Sequence, residues 1–255
     1  MRLEGKIAVI TGAGSGMGKA MALRFTEERA RVVLADISGK QDEVAAGINE
    51  AAKAAGVNAA IAVPVHANVS IEDDVRNMIA TAENSFGRLD ILCNNAGFGG
   101  PMAALADQSL EVWNRVHDTN IKGAFLGMKY GIASMLKTGG GAIVNTTSAS
   151  GVVGWMHHSV YGAAKAGVNQ LTKSAALDYS GHNIRINAIA PGPIDTEANR
   201  TTTPQEMVAD IVKGIPLSRM GEVDDLTGMC LFLLSDQAKW VTGQIFNVDG
   251  GQIIR

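Results

Sequence analysis

Five residues of unbroken apolar and β-branched character, Ile7 to Thr11, run directly into Gly12-Ala13-Gly14-Ser15-Gly16-Met17-Gly18. Helical spacing of apolar residues begins at Met17 and continues to Arg29. A strand that empties into glycines at the mouth of a helix admits few folds. Glycine takes up the positive φ of a tight turn without steric cost, and its lack of a side chain lets a ligand approach the backbone. The helix that follows offers unpaired N–H groups and the positive end of its dipole. A glycine cluster alone is a weak signal; placed between a strand and a helix it reads as a cradle for the pyrophosphate of a dinucleotide.

The rest of the chain repeats the same alternation. Strand-like runs recur at Arg31–Asp36, 59–63, Leu89–Cys93, Ala142–Asn145, Ile184–Ile189 and Gln244–Val248. Helical patterns fill Lys40–Ala55, a stretch from near Ser70, and the longer regions 107–137 and 159–180. Ser70 with Asp73 three residues on predicts a capped helix start. Strand and helix in alternation predict an α/β fold of the doubly wound (Rossmann) type, with about seven parallel strands and helices on both faces. No linker divides the chain, so 1–255 is read as one domain carrying both cofactor and substrate sites. In such sheets ligands lie beyond the carboxyl ends of the strands.

Composition narrows the partners. Net charge is −3 and Lys and Arg are scattered, with no basic stripe for a nucleic acid. Cys93 and Cys230 sit singly in apolar runs without CxxC spacing, which predicts buried reduced thiols and no metal site. The first residues lead straight into a strand, no secretory leader is recognised, and no apolar run approaches the ~20 residues of a membrane span. A soluble, cytoplasmic protein is expected.

Two constellations carry chemistry. Asp36 ends the second strand, eighteen residues past Gly18. A carboxylate there can accept hydrogen bonds from both hydroxyls of an adenosine ribose and repels a 2′-phosphate. Ser15 and Ile37 offer no basic partner for that phosphate, so the cofactor is expected to be NAD. Tyr161 and Lys165 are four residues apart, on one face of a helix, with only Gly162, Ala163 and Ala164 between them. A free phenol titrates near ~10 and is a poor base at neutral pH, but a cation ~4 Å away at an effective dielectric of ~20 contributes ~4 kcal/mol, enough to lower it by ~3 units. Burial opposes part of that. Ser148 lies thirteen residues before Tyr161, just past the fifth strand, where its hydroxyl can hold a substrate oxygen; Ser150 is its rival in the same run.

With these residues in place, the chain resembles the short-chain dehydrogenases/reductases, in their compact branch of ~250 residues, over essentially its whole length. The resemblance rests on the TGxxxGxG loop at 11–18, Asn94-Asn95-Ala96-Gly97, Ser148, Tyr161 to Lys165, Pro191-Gly192, and Thr242-Gly243-Gln244 with Val248-Asp249-Gly250-Gly251. It implies a catalytic set of Asn120, Ser148, Tyr161 and Lys165, with Lys165 also holding the nicotinamide ribose and Asn120 keeping a water in a proton relay. The family spacing to the tyrosine selects Ser148 over Ser150. Cofactor contacts are implied at Gly12, Ser15, Gly16, Met17, Gly18, Asp36, Ile37, Val69, Asn95, Ala96, Gly97, Pro191, Gly192, Ile194 and Thr196. One departure is Asn68-Val69, where the family has Asp-Val; the Asn68 carbonyl can still accept from the adenine amine and its amide can donate to a ring nitrogen.

On the substrate side, Phe98, Ser150, Trp155, Met156 and His157 are expected near the nicotinamide, although Trp155 and Met156 suit a core equally well and the 157–158 histidines a surface. Residues 197–213 resemble the family's mobile lid. A homotetramer is implied, paired through helices 107–137 and 159–180 and through the C-terminal segment. The expected reaction is interconversion of a small to medium, neutral secondary alcohol and its ketone by direct hydride transfer. The rivals are 3-oxoacyl-[acyl-carrier-protein] reduction, sugar-nucleotide epimerisation, for which the substrate domain is lacking, and a non-catalytic NAD-sensing or scaffolding role.

Overall fold

The computed structural model describes residues 1–202 and 205–254. In chain order its elements are β1 (Ile7–Thr11), α1 (Gly16–Glu27), β2 (Arg31–Asp36), α2 (Gln41–Ala54), β3 (Ala62–His66), α3 (Glu72–Phe86) and β4 (Ile91–Asn94). Then come α4 (Leu110–His117), a π-helical turn (Asp118–Lys122), α5 (Gly123–Thr138), β5 (Gly141–Thr146), α6 (Ser159–Tyr179) and β6 (Ile184–Pro191). The last are α7 (Glu197–Thr202), α8 (Gln205–Lys213), α9 (Val223–Leu234) and β7 (Ile245–Val248). All strand pairs are parallel, in the order β3-β2-β1-β4-β5-β6-β7. The chain winds outward from β1 to β3 and then returns to β4 on the other side of β1. The β1/β4 boundary is therefore the switch point at which a crevice opens.

Helices cover both faces, which is why the inner strands are apolar throughout rather than alternating. On one face Met21 and Phe25 of α1, Val44 and Ile48 of α2, and Leu231 and Leu234 of α9 pack against Ala8, Ile10 and Val144. On the other, Val75 and Met78 of α3, Leu126 and Met135 of α5, and Ala176 of α6 pack against Val9, Leu92 and Ile143.

Several sequence expectations are displaced, each for a physical reason. The third strand begins at Ala62 rather than 59, because the Asn49 side chain accepts from the N–H groups of Ile61 and Ala62 and donates to the Ala62 carbonyl. Pairing with β2 can start only there, at Val32↔Ala62. The fourth strand runs two residues late, Ile91–Asn94 instead of Leu89–Cys93. The Ser70/Asp73 cap does not form: α3 starts after Ile71 without a side-chain cap, the Ser70 hydroxyl donates to Asn68 Oδ1, and Asp74 rather than Asp73 receives the Asn68 N–H. The long region 107–137 is divided. A 3₁₀ turn at Leu105–Asp107 precedes α4, which Ser109 Oγ caps by accepting from Val112 N at 3.1 Å, and the π turn separates α4 from α5.

The adjacent strands β4 and β5 carry asparagines in register, Asn94↔Asn145, inside the core. They satisfy each other: Asn94 Nδ2 donates to Asn145 Oδ1 at 2.8 Å, and Asn145 Nδ2 donates to Thr172 Oγ1 of α6 at 2.9 Å. Buried polar groups persist only when partnered in this way. Asn145→Ala is expected to cost about 1–3 kcal/mol in urea unfolding at fixed protein concentration, because the buried Asn94 amide is left with its long 3.4 Å bond to the Ala124 carbonyl. Adding Asn94→Ala should cost less than the two single changes summed; full additivity would show that the pair does not act as a unit.

Candidate active site

The crevice is built from strand ends. Gly12 turns with φ +67°, and a Cβ on Gly18 would fall 2.1 Å from the Gly12 carbonyl oxygen, so the loop closes on the first turn of α1 only with glycine at 18. Ser15 precedes α1 in extended conformation and makes no side-chain cap, which leaves first-turn N–H groups of Gly16, Met17 and Gly18 for an anion. At the end of β2, Asp36 accepts from Gly14 N (2.9 Å) and Ser38 N (2.8 Å), one on each carboxylate oxygen. It therefore faces the glycine loop with a lone pair left on each oxygen; Ile37 beside it is exposed.

Thr11 ties the floor together. Its hydroxyl donates to Cys93 O and accepts from Asn95 N and Ala96 N, while Asn95 Nδ2 donates to Thr11 O. Thr146 at the end of β5 donates to Asn95 Oδ1. Beyond β6, a Cβ on Gly192 would meet Asp249 Cα at 2.8 Å, so Pro191-Gly192 passes tightly under the segment after β7. Ile194 is buried, and Thr196 Oγ1 accepts from Asn199 N at the head of α7. The Thr196 methyl lies 3.6 Å from the point a Gly16 Cβ would occupy, which brings this segment down to the glycine loop.

Asn68 departs from the sequence expectation. Its Oδ1 already accepts from both Ser70 N (3.0 Å) and Ser70 Oγ (2.8 Å), so the carbonyl proposed for the adenine amine is occupied, and the amide N–H groups are what it has to offer. Val69 is buried against Gly123.

Helix α6 carries Tyr161 and Lys165 on one face, with the ammonium 5.6 Å from the ring centroid. Lys165 is buried and donates to the Thr146 carbonyl at 2.9 Å. Burial pulls its pKa down from 10.5 to about 8. Burial also pushes the Tyr161 phenol up, opposed by a hydrogen bond with Ser148. Beside the expectation that Lys165 acidifies Tyr161 stands the finding that its ammonium is directed to the Thr146 carbonyl and that desolvation is the leading influence on both groups. Of the two rival serines, Ser148 is the one whose hydroxyl opposes the upward push of burial on the Tyr161 phenol, and its Oγ accepts from Ser150 N at 3.1 Å, while Ser150 Oγ lies 3.5 Å from His158 Nδ1.

Asn120 sits in the π turn, the kind of helix irregularity that re-aims a side chain. Its Nδ2 donates to Phe98 O (2.7 Å) and Val116 O (2.9 Å), and its Oδ1 accepts from Phe98 N (3.3 Å). A Cβ on Gly97 would fall 3.0 Å from Asn120 Oδ1 and 3.4 Å from Lys165 Nζ; the bare glycine keeps that corner open to a cofactor ribose.

Around this cluster the expected pocket divides. Phe98 packs with Val160 and Tyr161. Trp155, Met156 and His157 are exposed; His157 has φ +63° and only its backbone carbonyl is engaged, by Ala103 N. The imidazole beside the cluster is His158, half-buried and edge-on to Tyr161 at 6.1 Å between centroids. The sequence did hold the signal, since His158 is three residues before Tyr161 and so shares its helix flank. Cys93 and Cys230 are free and buried, their thiols pushed up by burial, Cys230 to about 12, which makes both unreactive. Among the described residues no group of three or more His, Cys, Asp and Glu could hold a metal, and no helix is long and apolar enough to cross a membrane.

Residues 12–252 match the family model described as enoyl-(acyl carrier protein) reductase. The chain is 47% identical over 254 residues to an uncharacterized oxidoreductase of Mycobacterium tuberculosis, covering 99% of each. It is 37% identical over 254 residues to a 3-oxoacyl-[acyl-carrier-protein] reductase of Thermotoga maritima, covering 100% of each. A solved structure, that of a levodione reductase, superposes with a TM-score of 0.93 at 34% identity, covering 98% of each chain. The chain belongs to the short-chain dehydrogenase/reductase family, a family of oxidoreductases that use NAD(H) or NADP(H).

The buried lysine has a stability consequence. Below pH 8 it is charged in both folded and unfolded chains, and its burial opposes folding; between about 8 and 10.5 the unfolded chain holds the extra proton, so stability rises with pH. Lys165→Met is expected to stabilise the ligand-free protein at pH 7 by up to about 3 kcal/mol, at ~1.36 kcal/mol per unit. The gain should shrink as pH rises from 8 to 10.5. Urea unfolding at pH 7 and pH 10 measures it; an equal gain at both values would refute this origin.

Proposed function

We propose that the chain interconverts a neutral, small to medium secondary alcohol and its ketone, using NAD(H). The observation that carries this reading is the cluster of Ser148, just past β5, Tyr161 and the buried Lys165, whose ammonium lies 5.6 Å from the Tyr161 ring centroid and donates to the Thr146 carbonyl beside the open corner at Gly97. In the oxidising direction Ser148 Oγ holds the substrate hydroxyl and Tyr161 Oη takes its proton. In the reducing direction Tyr161 returns that proton to the carbonyl oxygen. A nicotinamide dinucleotide, when bound, supplies the hydride acceptor or donor.

The glycine loop and the head of α1 would hold its pyrophosphate, Asp36 with Ile37 its adenosine ribose, and Asn68 and Val69 the adenine. Asn95, Ala96, Gly97, Tyr161 and Lys165 would hold the nicotinamide ribose, and Pro191, Gly192, Ile194 and Thr196 the nicotinamide. Asn120 fixes the 98 backbone beside that ribose and serves the proton relay behind Lys165. Because burial raises Tyr161, the phenol is protonated and ready as an acid at neutral pH, and oxidation should gain from alkaline pH.

NAD over NADP is supported by Asp36, which faces the glycine loop, and by Lys40, whose ammonium is engaged by Glu197 at 3.3 Å. The same features weigh against 3-oxoacyl-carrier reduction with NADPH. A merely cofactor-sensing protein has no use for the Ser148–Tyr161–Lys165 cluster. Residues 197–213 act as the lid; their Lys40–Glu197 tie is exposed and worth at most about 1 kcal/mol, which suits a cover that opens. The assembly is a homotetramer: Leu110, Trp113 and Phe125 on α4 and α5, Leu177 on α6, and Trp240 and Ile254 in the C-terminal segment expose large apolar side chains. Buried free thiols suit a cytoplasmic setting.

Turnover is tested by NADH absorbance with a panel of secondary alcohols and ketones. Tyr161→Phe should bind NADH normally yet lose ~10²–10⁴-fold in rate; near wild-type turnover in a folded, NADH-binding variant would remove Tyr161 from its role. In the same assay kcat/KM should favour NAD⁺, and Asp36→Ala should narrow the gap to NADP⁺. A wild-type preference for NADP⁺ would overturn the cofactor reading.

A further inference from the structure

Two connections meet beside Tyr161, β4–α4 and β5–α6, and the imidazole that faces Tyr161 there has no good partner. His158 stands immediately before α6, with its ring edge-on to the Tyr161 ring. From the segment after β5, Ser150 Oγ approaches its Nδ1 only to 3.5 Å, the outer limit of a hydrogen bond. From the segment after β4, Met102 Sδ lies 3.0 Å from its Nε2, and a thioether is a weak acceptor. The neighbouring polar groups are far better served: Asn120 makes three hydrogen bonds to backbone, and Lys165 donates to a carbonyl at 2.9 Å. A half-buried imidazole limited to such contacts has a donor and an acceptor still to offer. Met102, which covers Nε2, is 53% exposed and can yield to a stronger partner.

We propose that His158 sets the specificity of this site by hydrogen-bonding a second oxygen of the substrate, a hydroxyl or carbonyl a few bonds from the reacting carbon. The preferred substrates are then neutral diols, hydroxyketones or diketones rather than simple monoalcohols. This rests on the alcohol–ketone reading of the Ser148–Tyr161 pair. Burial and the adjacent His157 both depress the imidazole's proton affinity, so at neutral pH His158 offers one donor and one acceptor instead of a cation for a carboxylate. The groups that face the ring are Tyr161, Ser150 and Met102, with His157 beside it; none is a carboxylate or a permanent cation. The structural duty of the position lies in its backbone, whose carbonyl accepts from Gly162 N at 2.7 Å, so replacing the side chain leaves the helix start in place.

The test compares cyclohexanol with trans-cyclohexane-1,2-diol, using NAD⁺, in the wild type, His158→Leu and His158→Asn, with NADH binding as the control for folding. The wild type should favour the diol by about 10-fold or more in kcat/KM, the scale of one well-placed hydrogen bond. His158→Leu should lose that preference while its cyclohexanol rate stays within about 3-fold, and His158→Asn should recover part of it. Equal losses on both probes, or no change on either, would make His158 a structural residue and overturn the proposal. A wild type that oxidises cyclohexanol without preferring the diol overturns the role of His158 alone. A wild type that oxidises neither removes the alcohol–ketone reading and this inference with it.

Discussion

The Thr11 hydroxyl holds the place where the sheet divides. Parallel neighbours β1 and β4 send their connections to opposite sides of the sheet order, so a crevice opens between the loops that leave them. Thr11 Oγ1 ties the two strand ends with three hydrogen bonds, donating to Cys93 O and accepting from Asn95 N and Ala96 N. The position of everything above follows. The glycine loop leaves β1 one residue later, the Asn95–Gly97 turn is fixed beneath the crevice, and Asn95 extends the tie to Thr146 at the end of β5. Thr146 in turn supplies the carbonyl that meets the buried lysine. The Thr11 tie thus runs on through the Asn95 and Thr146 side chains to the strand end that meets Lys165.

The cluster itself is held in an electrostatically unfavourable state. Lys165 is buried and donates to the Thr146 carbonyl, and the partly buried Tyr161 is pushed up by desolvation, opposed by the Ser148 hydroxyl. Desolvation weakens the lysine as a cation and the tyrosine as an anion, which opposes the ionised pair most useful for oxidation. Any new charge or dipole brought to the Gly97 corner acts on both groups in a low-dielectric setting, where it counts for more than in water. A folded protein tolerates this arrangement because the sheet and both of its apolar faces outweigh it.

Much of this was legible in the sequence. Unbroken apolar runs marked the buried parallel strands, and the glycine loop with Asp36 marked the crevice, because both signals are local: a few adjacent residues determine burial or turn geometry. The misplacements share the opposite character. The start of β3 is set by Asn49, more than ten residues away, whose amide takes the backbone groups an earlier strand start would use. The π turn that aims Asn120 depends on Phe98 and Val116 backbone groups, and nothing in Asp118–Lys122 itself announces it. Asn68 was read as free to accept from a base, while the fold commits its oxygen to Ser70. The pair 157–158 was legible as two histidines but not as one inward and one outward, since the left-handed backbone at His157 decides which ring turns to Tyr161.

Satisfied and unsatisfied polar groups divide the molecule by function. Within the sheet, even buried asparagines find each other, and their hydrogen bonds run from β4 through β5 to Thr172 on α6. At the carboxyl edge that completeness ends: the head of α1 has no cap, Asp36 keeps spare lone pairs, and His158 meets a thioether. An open polar group near solvent costs little while water is present, and a ligand that matches it recovers a hydrogen bond in a drier setting. At the same edge Lys40, just past β2, meets Glu197 at the head of α7 in an exposed ion pair. Rigid strand ends with unsatisfied tips let the site be geometrically fixed before a ligand arrives and still admit one.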